Sequence, residues 1–320
     1  MNAPDPVAPG EAAPHGAPRG GGADHGGGAD HALEISRVRR GFDRAASSYD
    51  GAAVLHREVG ASLLQRLDLM TLAPRVVVDA GAGTGRASRA LLGRYPKALV
   101  IALDSSPRML RAAARKQPWR RRFARVCGDA GRMPLADGSV DLILSNLMLQ
   151  WCDPEVVFAE FRRVLAPNGL LSFTTLGPDT LCELRSAWAE VDSHSHVNRF
   201  LDMHDVGDAL VRGGFAAPVL DVERYTLCYP DVRRVAADLK ATGARNATIG
   251  RARGLTGRGR FAALQKAYEP FRRDGRLPAT YEVVFGHAWA PAAAARRHGS
   301  DGSHVSLAEM KLELLKRRRP

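Results

Sequence analysis

The run Val76-Val77-Val78-Asp79-Ala80-Gly81-Ala82-Gly83-Thr84-Gly85 constrains the fold more than any other part of the chain. Three β-branched residues in a row read as a strand buried on both faces, and three glycines at alternate positions then lead into Arg86–Leu92, which reads as a helix. Glycine has no Cβ, so this backbone can take positive φ and admit a ligand to contact distance, while unpaired helix N–H groups face whatever anion arrives. Strand, glycine turn and helix therefore make a cofactor site held mostly by main chain. The spacing is D-x-G-x-G-x-G, which differs from the dinucleotide-binding G-x-G-x-x-G.

The neighbouring segments agree. Leu99–Asp104 reads as a second buried strand ending in an acid about 20 residues past the glycine loop, the offset at which a carboxylate accepts hydrogen bonds from ribose hydroxyls. Asp104 is the expected ribose ligand. A third strand over 123–130 ends in Gly128-Asp129-Ala130, a fourth over 140–146 ends in Ser145-Asn146, and a fifth covers Leu170–Leu176. Any one of these acids alone could be a strand-end turn residue. Between the last two strands, Asp153 and Pro154 form an N-cap and first-turn pair, and Pro167-Asn168-Gly169 is expected to stop the helix. Alternating strands and helices with short links predict an α/β fold, a doubly wound and mostly parallel sheet with ligand at the carboxyl ends of its strands.

From the glycine loop onward the sequence resembles the class I S-adenosylmethionine (SAM) methyltransferases. The resemblance implies SAM as cofactor and a Rossmann-like, seven-stranded sheet with a late antiparallel strand, its last two strands at 222–229 and 281–290. It also implies that Asp79, Gly81, Gly83 and Gly85 surround the methionine part, that Asp129 and Ala130 read adenine, and that Asn146 borders the transferable methyl.

More particular segments resemble the malonyl-acyl-carrier-protein O-methyltransferases of biotin synthesis. Phe42-Asp43-Arg44-Ala45-Ala46-Ser47-Ser48-Tyr49-Asp50 is similar to that group's entry helix, which closes over the cofactor with the tyrosine near the active centre. Gly177–Arg185 with Trp188, then His196-Val197-Asn198-Arg199-Phe200, Asp238–Ala244 and Thr280-Tyr281 are similar to its G-x-x-T-L-x-E-L…W, H-x-N-R-F, L-K-x-x-G-A and T-Y elements. The first two lie in a helical substrate-side insertion after the fifth strand. The implied substrate is the free carboxyl of malonyl-acyl carrier protein or malonyl-CoA.

Methyl transfer from a sulfonium is an in-line displacement, for which positioning supplies about 7–11 kcal/mol. A carboxylate with a pKa near 4 is already ionised at neutral pH, so no general base is required. What the site needs is a cation, preferably an arginine. Arg199, Lys240 and Arg245 are the candidates from the group-specific segments, with Tyr49 and Arg199 as expected catalytic residues and His196 as a structural or substrate-lining group. No metal is expected: His194 and His196 have no third ligand at fixed spacing.

The formal net charge of +12 implies an acidic partner. An acidic carrier protein fits, steered by a basic face near Arg120–Arg122 or by the Lys316–Arg319 tail; no specific nucleic-acid signature is present. Residues 1–32 read as a disordered leader, 33–290 as the methyltransferase domain and 291–320 as a basic tail in which 307–315 has helical spacing. A single helix is expected to begin near Leu33 and carry Tyr49, followed by an amphipathic helix over Val54–Leu67. The four cysteines are expected to be buried thiols, and the absence of an apolar run of roughly 18 residues predicts a cytoplasmic protein. Other readings stay open at this point: a SAM-dependent enzyme acting on another small molecule or RNA, an assembly-factor-like protein on this fold, or a non-catalytic SAM- or nucleic-acid-binding protein.

Overall fold

The structure is a computed structural model that describes residues 34–244, 246 and 257–292. Arg245, the leader and the basic tail beyond 292, with its segment 307–315, lie outside the described residues. β1 (Val76–Ala80), β2 (Leu99–Asp104), β3 (Ala124–Cys127), β4 (Val140–Ser145), β5 (Leu165–Leu176), β6 (Ala216–Tyr229) and β7 (Leu277–Trp289) form one sheet in the order β3-β2-β1-β4-β5-β7-β6. The first five run parallel, while β7 is antiparallel to both β5 and β6. The strand order reverses between β1 and β4, which places a crevice at their carboxyl ends.

Consecutive residues of the central strands serve opposite faces, because side chains alternate along a strand. Val77, Val100, Leu142 and Leu170 enter one core, and Val78, Ile101, Ile143 and Leu171 enter the other. The first core receives Val59 and Leu63 of helix α3 (Val54–Arg66), Leu91 of α4 (Arg86–Arg94) and Ala113 of α5 (Pro107–Arg115). The second receives Val157, Phe158 and Phe161 of α6 (Pro154–Val164) and Leu210 of α8 (Met203–Arg212). Helix α7 (Cys182–Ala189) precedes α8 in the expected insertion, and a second excursion, α9 (Val232–Ala241) and α10 (Arg258–Tyr268), links β6 to β7.

Several boundaries differ from the sequence reading. The entry helix breaks after α1 (Ile35–Ala45) and restarts as the one-turn α2 (Tyr49–Ala52), so that Tyr49 opens a new helix. Helix α6 has the expected Asp153 cap, whose carboxylate accepts from Glu155 N at 3.0 Å, but it ends at Val164. Pro167-Asn168-Gly169 therefore lies within β5, where Asn168 has φ 61° and the register with β4 shifts. Strand β3 is shorter than expected and forms a sheet edge, leaving Cys127 exposed, and the other three thiols are only half-buried. Among the described residues no helix is long and apolar enough to cross a membrane.

Where β5 meets β7, Gly286 faces Phe173, and a Cβ there would lie 2.3 Å from the ring. Overpacking of this kind costs about 1–3 kcal/mol. Gly286→Ala should lose that much stability in urea denaturation, and Phe173→Leu in the same background should restore part of it.

Candidate active site

The glycine loop hangs on the end of β2. Gly81 N and Ala82 N donate to the Leu103 carbonyl at 2.9 and 3.0 Å, and Gly83 N donates to Asp104 Oδ2 at 2.8 Å. Gly83 has φ 53° with open space where a Cβ would stand, as a ligand-facing position requires. At Gly81 and Gly85 the space is filled: added Cβ atoms would meet Met148 at 2.4 Å, and Ala113 and Phe123 at 2.9 Å. The loop is thus open at its centre and packed at both ends.

Two cavities meet at this loop. The smaller, about 260 Å³, is lined by Leu103, Asp104, Asp129, Ala130, Met148 and Trp151 and covered by Ile35, Val38, Arg39 and Phe42 of α1. The larger, about 530 Å³, runs between α3 and α4 past Asp79, His56, Arg57, Arg86, Arg89 and Pro118. Tyr49, Gly81, Gly83 and Asn146 line both. The expected SAM-site residues Asp79, Gly81, Gly83, Asp104, Asp129, Ala130 and Asn146 are therefore brought together around two adjoining cavities, with Gly85 packed behind them.

Short polar bonds hold its walls. Asp79 accepts from Ser88 Oγ at 2.5 Å, and burial pushes its carboxyl up to about 6 against that bond. Asp104 takes a second N–H, from Ser106 at 2.7 Å, and burial raises its pKa as well. Asn146 is braced at both ends of its amide: Nδ2 donates to the His56 carbonyl at 3.0 Å, and Oδ1 accepts from Thr174 Oγ1 at 2.9 Å. Gly60 of α3 allows this approach, since a Cβ there would lie 2.9 Å from Asn146 Nδ2.

Helices α1 and α2 form the cover, and two carboxylates latch it. Asp43 accepts from Ser106 Oγ at 2.6 Å, and Asp50 accepts from Thr84 Oγ1 at 2.6 Å while also pairing with Lys116. Burial, with the Asp104 charge behind it, raises the Tyr49 phenol, so the hydroxyl stays protonated. The Tyr49 and His56 rings meet edge to face at 5.4 Å, and burial pushes the imidazole down to about 4, leaving it neutral at pH 7.

The expected substrate-side residues fall elsewhere. His196 stacks on Trp188 with ring centroids 3.6 Å apart, and its Nε2 bonds to Asp192 at 2.8 Å; it braces the insertion and lines neither cavity. Arg199 and Lys240 are exposed and also line neither. The motif around Glu183 is a staple to β7: the buried Glu183 carboxylate accepts from Thr280 N and Oγ1, and Thr180 Oγ1 donates to the Glu282 carbonyl at 3.1 Å. Gly243, in the L-K-x-x-G-A element, packs against Gly41 and Phe42 of α1. Arg121, expected in a basic face, instead donates to the Leu92, Tyr95 and Ala98 carbonyls behind α4. The cations that do line the larger cavity are Arg57, Arg86 and Arg89, none of them singled out in the sequence. Neither Arg86 nor Arg89 has an acidic partner among the described residues.

A family model described as a methyltransferase domain matches residues 78–173, from within β1 to within β5. The malonyl-acyl-carrier-protein O-methyltransferase of Laribacter hongkongensis is 57% identical over 279 residues, covering 84% of this chain and 94% of the relative. That of Methylovorus sp. is also 57% identical, covering 82% and 90%. This chain belongs to the malonyl-acyl-carrier-protein O-methyltransferase family. In fold the methyltransferase resembles the YcgJ protein of Bacillus subtilis, with a TM-score of 0.52 at 17% identity over 72% of this chain and 98% of that one.

Two of the shifted groups facing the methyltransferase's larger cavity oppose each other in pH dependence. Asp79 keeps its proton up to about 6 when folded against an ordinary 3.8, so its contribution favours the native state in acid and is lost as pH rises from 3.8 through 6. His56 falls from 6.5 to about 4, so its contribution is present above 6.5 and is lost as pH falls through 4. Each is worth about 3 kcal/mol over its window. Relative to the parent protein, His56→Gln should gain stability as pH falls from about 6 to about 4, and Asp79→Asn should lose it. Urea denaturation across that range measures both slopes.

Proposed function

We propose that the protein is a cytoplasmic SAM-dependent carboxyl O-methyltransferase that converts the free carboxyl of malonyl-acyl carrier protein to its methyl ester, an early step of biotin synthesis. The observation that carries this reading is the meeting of two cavities at Tyr49, Gly81, Gly83 and Asn146. The smaller takes the adenosine end of SAM, with Asp104 on the ribose hydroxyls and Asp129 and Ala130 at adenine. The glycine loop and Asp79 hold the methionine end at the junction. SAM supplies the electrophilic methyl; the chain supplies position.

The larger cavity takes the malonyl group. Its carboxylate is ionised near neutral pH and needs alignment rather than deprotonation. That fits walls on which Tyr49 keeps its proton and His56 is neutral. Tyr49 then serves as a hydrogen-bond donor, and its hydroxyl has no protein partner among the described residues. Arg57, Arg86 and Arg89 replace Arg199 and Lys240 as the cations that read the carboxylate, since a guanidinium offers it two parallel N–H groups.

Transfer of labelled methyl from SAM tests the reading directly. Malonyl-acyl carrier protein should be methylated, malonyl-CoA less efficiently, and Asp104→Ala should abolish both. Arg57→Gln and Arg86→Gln should each raise the malonyl KM by roughly thirtyfold, the loss expected for a charged hydrogen bond of about 2 kcal/mol. A rise in the KM for SAM instead would assign that arginine to the methionine carboxylate. SAM binding without transfer to any malonyl thioester would overturn the substrate assignment.

A further inference from the structure

Several arginines on this surface are paired with carboxylates. Arg66 pairs with Asp221 and Glu223, Arg94 with Asp68, Arg163 with Asp137 and Glu160, Arg212 with Glu155, Arg224 with Asp179 and Arg272 with Glu269. One groove gathers four that are not. A groove of about 230 Å³ between the end of α1 and α5 is lined by Arg44, Arg108, Arg111 and Arg115, and none of the four has a carboxylate partner among the described residues. The groove's one acid, Asp43, is taken up by Ser106 Oγ and Arg108 N. Arg108, Arg111 and Arg115 recur at i, i+3 and i+7, so they share one face of α5, and all three are exposed.

The surface continues toward the active site. Beyond α5, Lys116 pairs with Asp50 of the cover and Pro118 lines the larger cavity. Next to Pro118 in the chain stands Trp119, 77% exposed, with the Arg120 guanidinium 5.0 Å from its ring centroid. An exposed tryptophan among unpaired arginines has the composition of an interface anchor.

Building on the carrier-linked substrate reading, we infer that the α5 face, with Arg44 and Trp119, is the docking surface for the acidic carrier protein. The carrier's acidic helical surface meets Arg108, Arg111 and Arg115, Trp119 packs at its edge, and the tethered malonyl group enters past Pro118. Four uncompensated guanidinium groups on one groove set up a local field that an acidic partner relieves, and that field acts on encounter and KM rather than on the methyl-transfer step. Of the face expected over Arg120–Arg122, Arg121 instead serves α4.

The full chain carrying Arg108→Glu, Arg111→Glu and Arg115→Glu tests this. Binding of unacylated acyl carrier protein is titrated at about 50 and about 300 mM salt, and steady-state kinetics are run with malonyl-carrier protein and malonyl-CoA. The triple variant should raise the carrier Kd and KM at least tenfold and lose their salt dependence, with kcat and the malonyl-CoA KM unchanged. Each single reversal, at an exposed position, should move the carrier KM in the same direction by two- to threefold, which keeps the test valid if the triple variant folds poorly. Methyl transfer with an unchanged carrier KM in the single reversals would overturn the docking surface and leave the substrate reading standing. Carrier binding that the reversals abolish, without transfer to any malonyl thioester, would support docking and remove the substrate reading. A mixed-sequence RNA bound more tightly than the carrier at equal salt, and released by the same reversals, would assign the face to nucleic acid and overturn the proposal.

Discussion

The bond from Gly83 N to the Asp104 carboxylate is the contact on which the active site depends. It fixes the open centre of the glycine loop against the end of the neighbouring strand, and from it runs a continuous chain of polar contacts. Asp104 also accepts from Ser106 N, Ser106 Oγ donates to Asp43, and Asp43 lies in α1. Through Thr84 and Asp50 the same loop is tied to α2. Sheet, loop and cover are thus one mechanical unit, so closing α1 and α2 over the crevice also sets the positions of Tyr49 and Asn146. An isolated N-terminal segment could not do this, since a one-turn helix such as α2 has no stability of its own.

How legible this was in the sequence depends on how local each signal is. Strand ends, glycine spacing and the Asp153-Pro154 cap are encoded within a few residues, and the structure assembles them in the expected order. The break at 46–48 and the early end of α6 are set by what the segments pack against: Ser48 Oγ reaches across to the Ala241 carbonyl, and Leu165 already pairs with Val140 in the sheet. Local pattern holds no trace of either partner.

The substrate side was the least legible part, for a chemical reason. A motif rich in Thr, Glu, His and Arg looks the same whether it binds a ligand or closes a tertiary contact. Glu183 with Thr280, and His196 with Trp188 and Asp192, are the second kind. Their polarity is consumed in fastening the first insertion to β7 and in bracing that insertion internally, because a buried polar group must find a partner. Arg57, Arg86 and Arg89 escaped notice for the opposite reason. Arg57 lies on one helix and Arg86 and Arg89 on the next, and only the packing of α3 beside α4 makes them neighbours of one cavity.

The proposed reading of that cavity also implies that the product is held less tightly than the substrate. Before transfer the bound group is an anion facing guanidinium groups, Asn146 and a protonated phenol. Afterwards it is a neutral ester, and the charge-assisted hydrogen bonds that held it, each worth about 1.5–3 kcal/mol, weaken toward ordinary ones. On that reading the cavity's guanidinium groups discriminate against the product. The ester departs because the reaction has removed the charge by which it was held.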